Sequence, residues 1–178
     1  RNIVAESPEI PGIHNAWDFS FKNNMSGGQE MKTINFYKLT LVKEKEISYA
    51  CSESLTSPDA VAKLAIDFIG MDKFAEEHMY LIALNVKNYV NGLTEISHGA
   101  LSFSIVHPRE IFKYAISMNA ASIMLIHNHP SGDPTPSEED VAMTKRIQEA
   151  GELLGINLLD HIIVADGKFA SLREKGLL

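Results

Sequence analysis

The stretch His127-Asn128-His129-Pro130-Ser131-Gly132-Asp133-Pro134-Thr135-Pro136-Ser137-Glu138-Glu139-Asp140 carries the decisive pattern of this chain. Just before it, Ala121-Ser122-Ile123-Met124-Leu125-Ile126 is a strand-sized apolar run, which predicts a buried strand. Side chains two apart on an extended chain point the same way, so both imidazoles can reach one metal ion from the strand's end. Pro130, Gly132, Pro134 and Pro136 forbid regular structure and predict a stiff loop. Ser137 followed by Glu138, Glu139 and Asp140 reads as a helix N-cap with an acidic first turn. Such a loop folds the chain back, so that Asp140 can complete the site as a carboxylate ligand. Two His and one Asp leave the fourth tetrahedral position to water, which is the pattern of a catalytic zinc and not of a closed structural one.

Taken singly, these residues have ordinary explanations. A loop histidine is more often satisfied by backbone hydrogen bonds than by a metal. A serine before an acidic turn is an ordinary cap, and an aspartate there is favoured by the helix dipole. The letters of His127-Asn128-His129 also match an HNH nuclease label, but in those nucleases the three are spread along a hairpin and helix. Jointly, the separate explanations leave the spacing unaccounted for, and a metal site accounts for it.

Composition describes a chain able to build one sizeable core: 178 residues, 45% hydrophobic. No segment approaches the roughly 20 apolar residues that span a bilayer, and the polar start, broken by Pro8 and Pro11, does not resemble a signal peptide. No membrane partner is therefore expected. The single cysteine, Cys51, excludes an internal disulfide and fits a reducing cytoplasm. The net charge of −7, from 16 basic and 23 acidic residues, weighs against broad phosphate-driven nucleic-acid binding.

Along the chain, residues 1–30 hold Pro8, Pro11, Gly12, Asn23, Asn24, Gly27 and Gly28 without sustained periodicity and read as a linker or extended arm. Trp17, Phe19 and Phe21 alternate within it, which leaves room for packing on the domain or for a homodimer by arm exchange. Residues 31–56 read as a strand region packed on the domain, with the strand at 34–42. Ser57-Pro58 opens a helix with the apolar stripe Val61, Leu64, Ala65, Phe68 and Ile69, closing near Gly70. Strands at 78–86 and 89–97 with a turn at Lys87-Asn88 predict a hairpin. Pro108 starts a helix carrying Ile111, Phe112, Ala115 and Ile116 on one face. After the metal-bearing strand come a helix at 138–154 ended by Gly155, a strand at 161–165, a turn at Asp166-Gly167 and a short last strand. Strands interleaved with helices indicate an α/β domain.

The spacing His-x-His, then Ser-x-x-Asp, resembles the metal motif of the JAB/MPN (JAMM) metalloprotease domains, and the fuller string HNHPSGDPTPSEED resembles the RadC family of bacterial proteins. The resemblance extends upstream through Glu77-His78-Met79-Tyr80-Leu81-Ile82-Ala83-Leu84-Asn85-Val86-Lys87-Asn88. Downstream it includes Leu158-Leu159-Asp160-His161-Ile162-Ile163-Val164 and Ser171-Leu172, covering roughly residues 57–178 as a JAMM-type metal-binding domain. It implies a three-layer α/β fold of the cytidine-deaminase-like kind, a mixed sheet flanked by helices.

The resemblance also implies a zinc-dependent hydrolase that cleaves a peptide or isopeptide bond in a protein or peptide substrate. Zinc on His127, His129 and Asp140 would acidify a bound water. Glu77, at the start of the first core strand, matches the family's general base; Glu76 is the adjacent alternative, facing the other way. Ser137 would donate its hydroxyl hydrogen to the oxyanion while its lone pairs cap the helix. His161 is expected as a partner behind a ligand, or as a satisfied core histidine, and not as a fourth ligand.

Two other functions are compatible with the family. One is DNA repair or DNA processing, the family's historical label, which rests on the resemblance alone. Many RadC-like proteins carry a helix-hairpin-helix segment ahead of the metal domain, and no such pattern is visible before residue 57. The other is a zinc-stabilised binding module without catalysis, as in relatives that have lost ligands; this chain has lost none.

Overall fold

The computed structural model describes residues 35, 37–46, 55, 57–99 and 106–178. The chain divides after Lys38, and the sheet and candidate site belong to the second part, Leu39–Leu178. The expected arm at 1–30, with its aromatic residues, and the dimer that would use it lie outside the described residues.

Ser57 caps helix α1 (Pro58–Lys63), its hydroxyl accepting from the Ala60 amide at 3.2 Å. The helix continues as a π-helical stretch, Leu64–Ile69, that ends at Gly70 in the left-handed region, φ 77°. A glycine meets that requirement without strain. The wider π winding changes which side chains share a face, and Phe68, expected in the buried stripe, is 40% exposed. Strands β1 (His78–Leu84) and β2 (Val90–His98) form the predicted hairpin, with Asn88 at φ 60° in its turn. Helix α2 (Pro108–Ser117) starts at His107, whose ring accepts from the Arg109 amide. It buries Ile111, Phe112 and Ala115 but leaves Ile116 56% exposed. Strand β3 (Ser122–Asn128) leads through the proline loop to α3 (Glu138–Leu154), and β4 (Asn157–Ala165) and β5 (Lys168–Ser171) close the domain. Asp166 and Gly167, both at positive φ, make the β4–β5 turn, as two-residue hairpins prefer.

The five strands are ordered β2-β1-β3-β4-β5, with β3 and β4 parallel and every other pair antiparallel. This is the mixed α/β sheet that the family resemblance implies. One face, with Met124 and Ile126, packs with Val61 and Leu64 of α1. The other, with Ile123 and Leu125, packs with Ile111 and Phe112 of α2 and with Met143 and Ile147 of α3. Helices therefore cover both faces, giving three layers. The strand expected at 34–42 is not formed at its described positions. Residues 37–46 lack strand structure, and Tyr37 and Val42 are 90% and 80% exposed. Alternation alone does not make a strand where, among the described residues, neither face is buried.

Two features of this sheet position the site. Alternation along β3 places His127 on the face of Ile123 and Leu125, toward α3, and Asn128 on the face of Met124 and Ile126. The β3–β4 register then slips by one residue: Ile123 pairs with Leu158, but Met124 pairs with Asp160. This bulge inverts the facing of everything after it in β4. Leu158 packs on the α3 side before the slip and Ile162 on the α1 side after it, so His161 is turned toward α3, the side of His127.

Candidate metal centre

The strand end, the loop and the helix start bring His127, His129 and Asp140 together, with one potential ligand atom from each within 4.8 Å of the others. Nε2 of His127 lies 2.9 Å from Nε2 of His129 and 3.3 Å from Oδ1 of Asp140. Nε2 of His129 is 3.4 Å from Oδ2 of Asp140. Donors on one tetrahedral zinc, with bonds of about 2.0–2.2 Å, stand roughly 3.3 Å apart, so the separations suit that ion with little adjustment. The chemistry of the carboxylate agrees. Asp140 is buried; its Oδ2 accepts from the Ser137 amide and hydroxyl, both at 2.7 Å. Its Oδ1 is buried with no hydrogen-bond donor, an arrangement that is costly unless a cation supplies the missing partner.

Each candidate ligand histidine is held from behind. Nδ1 of His129 meets the Asp133 carbonyl at 2.8 Å. A carbonyl only accepts, so Nδ1 carries the hydrogen and Nε2 faces the site. The Asp133 carboxylate accepts from the Thr135 amide and hydroxyl, which stiffens the loop at that carbonyl. Nδ1 of His127 lies 2.7 Å from Nε2 of His161, which is buried. The sequence expectation of His161 as a partner behind a ligand matches this placement. The sequence pattern assigns no role to Thr144 or Asn128. Thr144 stands one helical turn after Asp140, a spacing that could have suggested it; Asn128 differs from any loop asparagine only through its tertiary contacts.

Ser137 and Asp140 form a reciprocal capping box, the serine hydroxyl accepting from the Asp140 amide at 3.1 Å. The expected use of the serine hydrogen is altered here. It is donated to Oδ2 of Asp140, because a carboxylate at that distance is a far better acceptor than open solvent. Ser137 itself is exposed, and His129 is partly so, whereas His127 and Asp140 are buried. The site therefore opens on the Ser137–His129 side. Ser137→Ala is expected to cost about 0.5–2 kcal/mol of stability through the lost cap and to weaken zinc binding about 10–100-fold through the freed carboxylate. Denaturation and chelator competition measure the two; unchanged zinc affinity would show that the capping box does not orient Asp140.

Glu77 precedes β1, and its carboxylate is near enough to His129 and Asp140 to feel their charges; burial raises its pKa above the ordinary glutamate value. Glu76 is exposed and leans on Gly99, where an added Cβ would stand 2.8 Å from its Oε2. The backbone here is pinned. The β1–β3 ladder ends at Met79 opposite His127, and the buried Asn128 side chain continues it. Its Oδ1 accepts from the His78 amide at 2.8 Å, and its Nδ2 donates to the Glu76 carbonyl at 2.9 Å. Gly99 donates to the Glu77 carbonyl at 3.0 Å. One amide side chain thus ties the metal-ligand strand to the segment carrying Glu77.

Burial pushes His127 and, more strongly, His161 below the ordinary histidine value. The Asp140 carboxylate raises His129. Burial would raise Asp140 itself, but the two imidazoles and Ser137 outweigh it and hold the carboxyl well below the usual range. His127 and His161 bind protons in the unfolded chain below about pH 6.5 and resist them when folded, so their contribution is full above that pH and is lost below it. His129 contributes oppositely, with stability present below about 6.5 and lost as pH rises through its raised folded-state pKa. Metal-free protein should therefore be less stable at pH 5.5 than at pH 7, by up to about 1.4 kcal/mol per pH unit for each excluded proton. A denaturation midpoint in chelator that stays level or rises at pH 5.5 would mean that these rings are not kept neutral.

The family model described as a RadC-like JAB domain matches residues 55–177. A UPF0758 protein of Caldanaerobacter subterraneus is 54% identical over 123 residues, which is 69% of this chain and 52% of that protein. A UPF0758 protein of Clostridium kluyveri is 43% identical over 180 residues, covering 100% of this chain and 78% of that one. A third, from Desulforamulus reducens, is 59% identical over 102 residues, 57% of this chain and 45% of its own. The matched region thus spans about half the length of the first and third of these relatives.

Proposed function

Because this chain belongs to the RadC family and carries its JAB/MPN-like domain, we propose that it is a zinc-dependent hydrolase cleaving a peptide or isopeptide bond. The observation that carries the reading is the buried, donor-less Oδ1 of Asp140 facing the His127 ring, with a carboxylate of raised pKa beside the cluster. His127, His129 and Asp140 would hold a zinc ion, which when bound would supply Lewis acidity for a water and a carbonyl.

The residues around it do the rest. Glu77, its pKa raised by burial, takes the proton from the attacking water and passes it to the leaving amine. Asn128 and Gly99 keep the Glu77 backbone in place during that transfer. The substrate carbonyl enters from the exposed Ser137–His129 side. Ser137 orients Asp140 and, by exchanging its bond to Oδ2 for one to the substrate, donates to the oxyanion. The partner is a protein or peptide. The net charge of −7 does not favour nucleic acid, and among the described residues no helix is long and apolar enough to cross a membrane. The single cysteine suits a cytoplasmic setting.

The test is a cleavage screen on a peptide library that includes lysine-linked isopeptides, with zinc-loaded and chelator-stripped protein compared by mass spectrometry. Zinc-dependent amide cleavage is the expected result. A protein that retains zinc yet cleaves no member, in particular one that instead nicks or binds DNA, would overturn the hydrolase.

A further inference from the structure

Behind the metal-facing side of His127 lies a closed chain of hydrogen bonds whose directions follow without choice. The Asp140 backbone carbonyl can only accept, so Thr144 donates its single hydroxyl hydrogen to it, at 2.6 Å. With that hydrogen committed, Oγ1 of Thr144 can only accept from Nδ1 of His161, also at 2.6 Å. A neutral ring protonated on Nδ1 presents a lone pair on Nε2. That lone pair faces Nδ1 of His127 at 2.7 Å, which must therefore carry hydrogen. The Nε2 lone pair of His127 is then left pointing at His129 and Asp140.

We infer that His161 and Thr144 are positioning residues of the metal centre, locking His127 in the one tautomer able to bind zinc through Nε2 and coupling it to the helix that carries Asp140. A threonine bonding the carbonyl four residues back is common in helices and by itself indicates nothing. The informative contact is the second one, to a buried histidine that the β4 bulge turns toward it. His127, Thr144 and His161 are all fully buried, so no water competes for the direction of any bond.

The chain also predicts how it fails. Without the Thr144 hydroxyl, Nδ1–H of His161 has no acceptor, and the ring is better satisfied with its hydrogen on Nε2. That hydrogen then faces His127, forcing His127 to accept at Nδ1 and to carry its own hydrogen on Nε2, where the metal must bind. Partners of this kind change metal affinity about 10–100-fold when removed.

This inference rests on the proposed zinc site, so its test is read on zinc and on the rings and needs no substrate. Wild type, Thr144→Val, Thr144→Ser and His161→Phe would be compared by chelator-competition zinc affinity. Long-range ¹H–¹⁵N spectra of the metal-free proteins would assign the histidine tautomers, and thermal melts would confirm folding. Expected are Nδ1–H tautomers for His127 and His161 in wild type and a 10–100-fold weaker site in Thr144→Val and His161→Phe. Thr144→Ser, which keeps the hydroxyl, should restore both affinity and tautomers. Folded Thr144→Val binding zinc within about threefold of wild type, or a wild-type His127 with hydrogen on Nε2, would overturn the positioning role alone. A wild type that binds no zinc would overturn the metal reading and this inference with it.

Discussion

Glu77→Gln is expected to keep about one zinc per chain and to lose hydrolysis by about 10²–10⁴-fold, the usual weight of a positioned proton acceptor. Glutamine matches the shape of glutamate and can still hydrogen-bond, but it cannot take up a proton. The segment should stay in place, because Asn128 holds the Glu76 carbonyl and the His78 amide while Gly99 holds the Glu77 carbonyl. Those contacts are to backbone and do not notice the substitution. Zinc should also stay, since Glu77 is not among the three converging ligands. The measurement pairs metal content by mass spectrometry with the rate on the best peptide from the library screen. Glu76→Gln is the control, expected to change the rate little because Glu76 is exposed and lies against Gly99. A Glu77→Gln protein that hydrolyses within a few-fold of wild type would remove Glu77 from the mechanism.

His129→Ala should abolish zinc retention. Wild type, loaded with zinc and dialysed exhaustively, is expected to hold about one ion per chain and the variant none, because two remaining protein ligands do not make the three that a catalytic zinc site requires. The side chain sits at the partly open edge of the cluster, outside the two apolar cores, so its removal should leave the sheet intact. The loss is then a loss of binding and not of fold. Stability gives a second readout. Zinc at 1,000 times its Kd adds about 4.1 kcal/mol to a protein that binds it only when folded, and the variant should show no such gain. The Asp140 carboxylate raises the pKa of the His129 ring, so protons compete with zinc there and wild-type affinity should weaken as pH falls. If wild type retains no zinc, the ligands do not bind it and the hydrolase reading falls.

The convergence of His127, His129 and Asp140 is largely legible in the sequence because it is local. Period-two alternation carries His127 and His129 to one side of β3, the prolines between them and Ser137 force a return, and Ser-x-x-Asp is a capping box in four residues. Each rule acts over a few bonds and is insensitive to the rest of the chain. Elements supported by length and by caps, such as α3 ending at Gly155, were legible for the same reason. Less was legible where a side chain needs a distant partner to define its face. Alternation at 34–42 suggests a strand, but the described residues 37–42 have no strand structure. A 3.6-residue stripe places Phe68 and Ile116 inside, yet they are 40% and 56% exposed.

Several decisions belonged to the tertiary structure alone. Placing the Glu77 carboxylate, and not that of Glu76, beside the cluster depends on where β1 begins against β3, and the β1–β3 register reaches its end at Met79 and His127. The direction of the Ser137 hydrogen depends on an Asp140 oxygen 2.7 Å away. His161 faces His127 only because β4 slips one residue against β3, and one residue of slip turns a side chain to the opposite face. The amino-acid sequence by itself determined which atoms could bind a metal, through short-range geometry. Only the packed sheet and helix decided which groups stand behind those atoms, because contacts between residues 17 to 52 positions apart depend on register and burial, which no local pattern encodes.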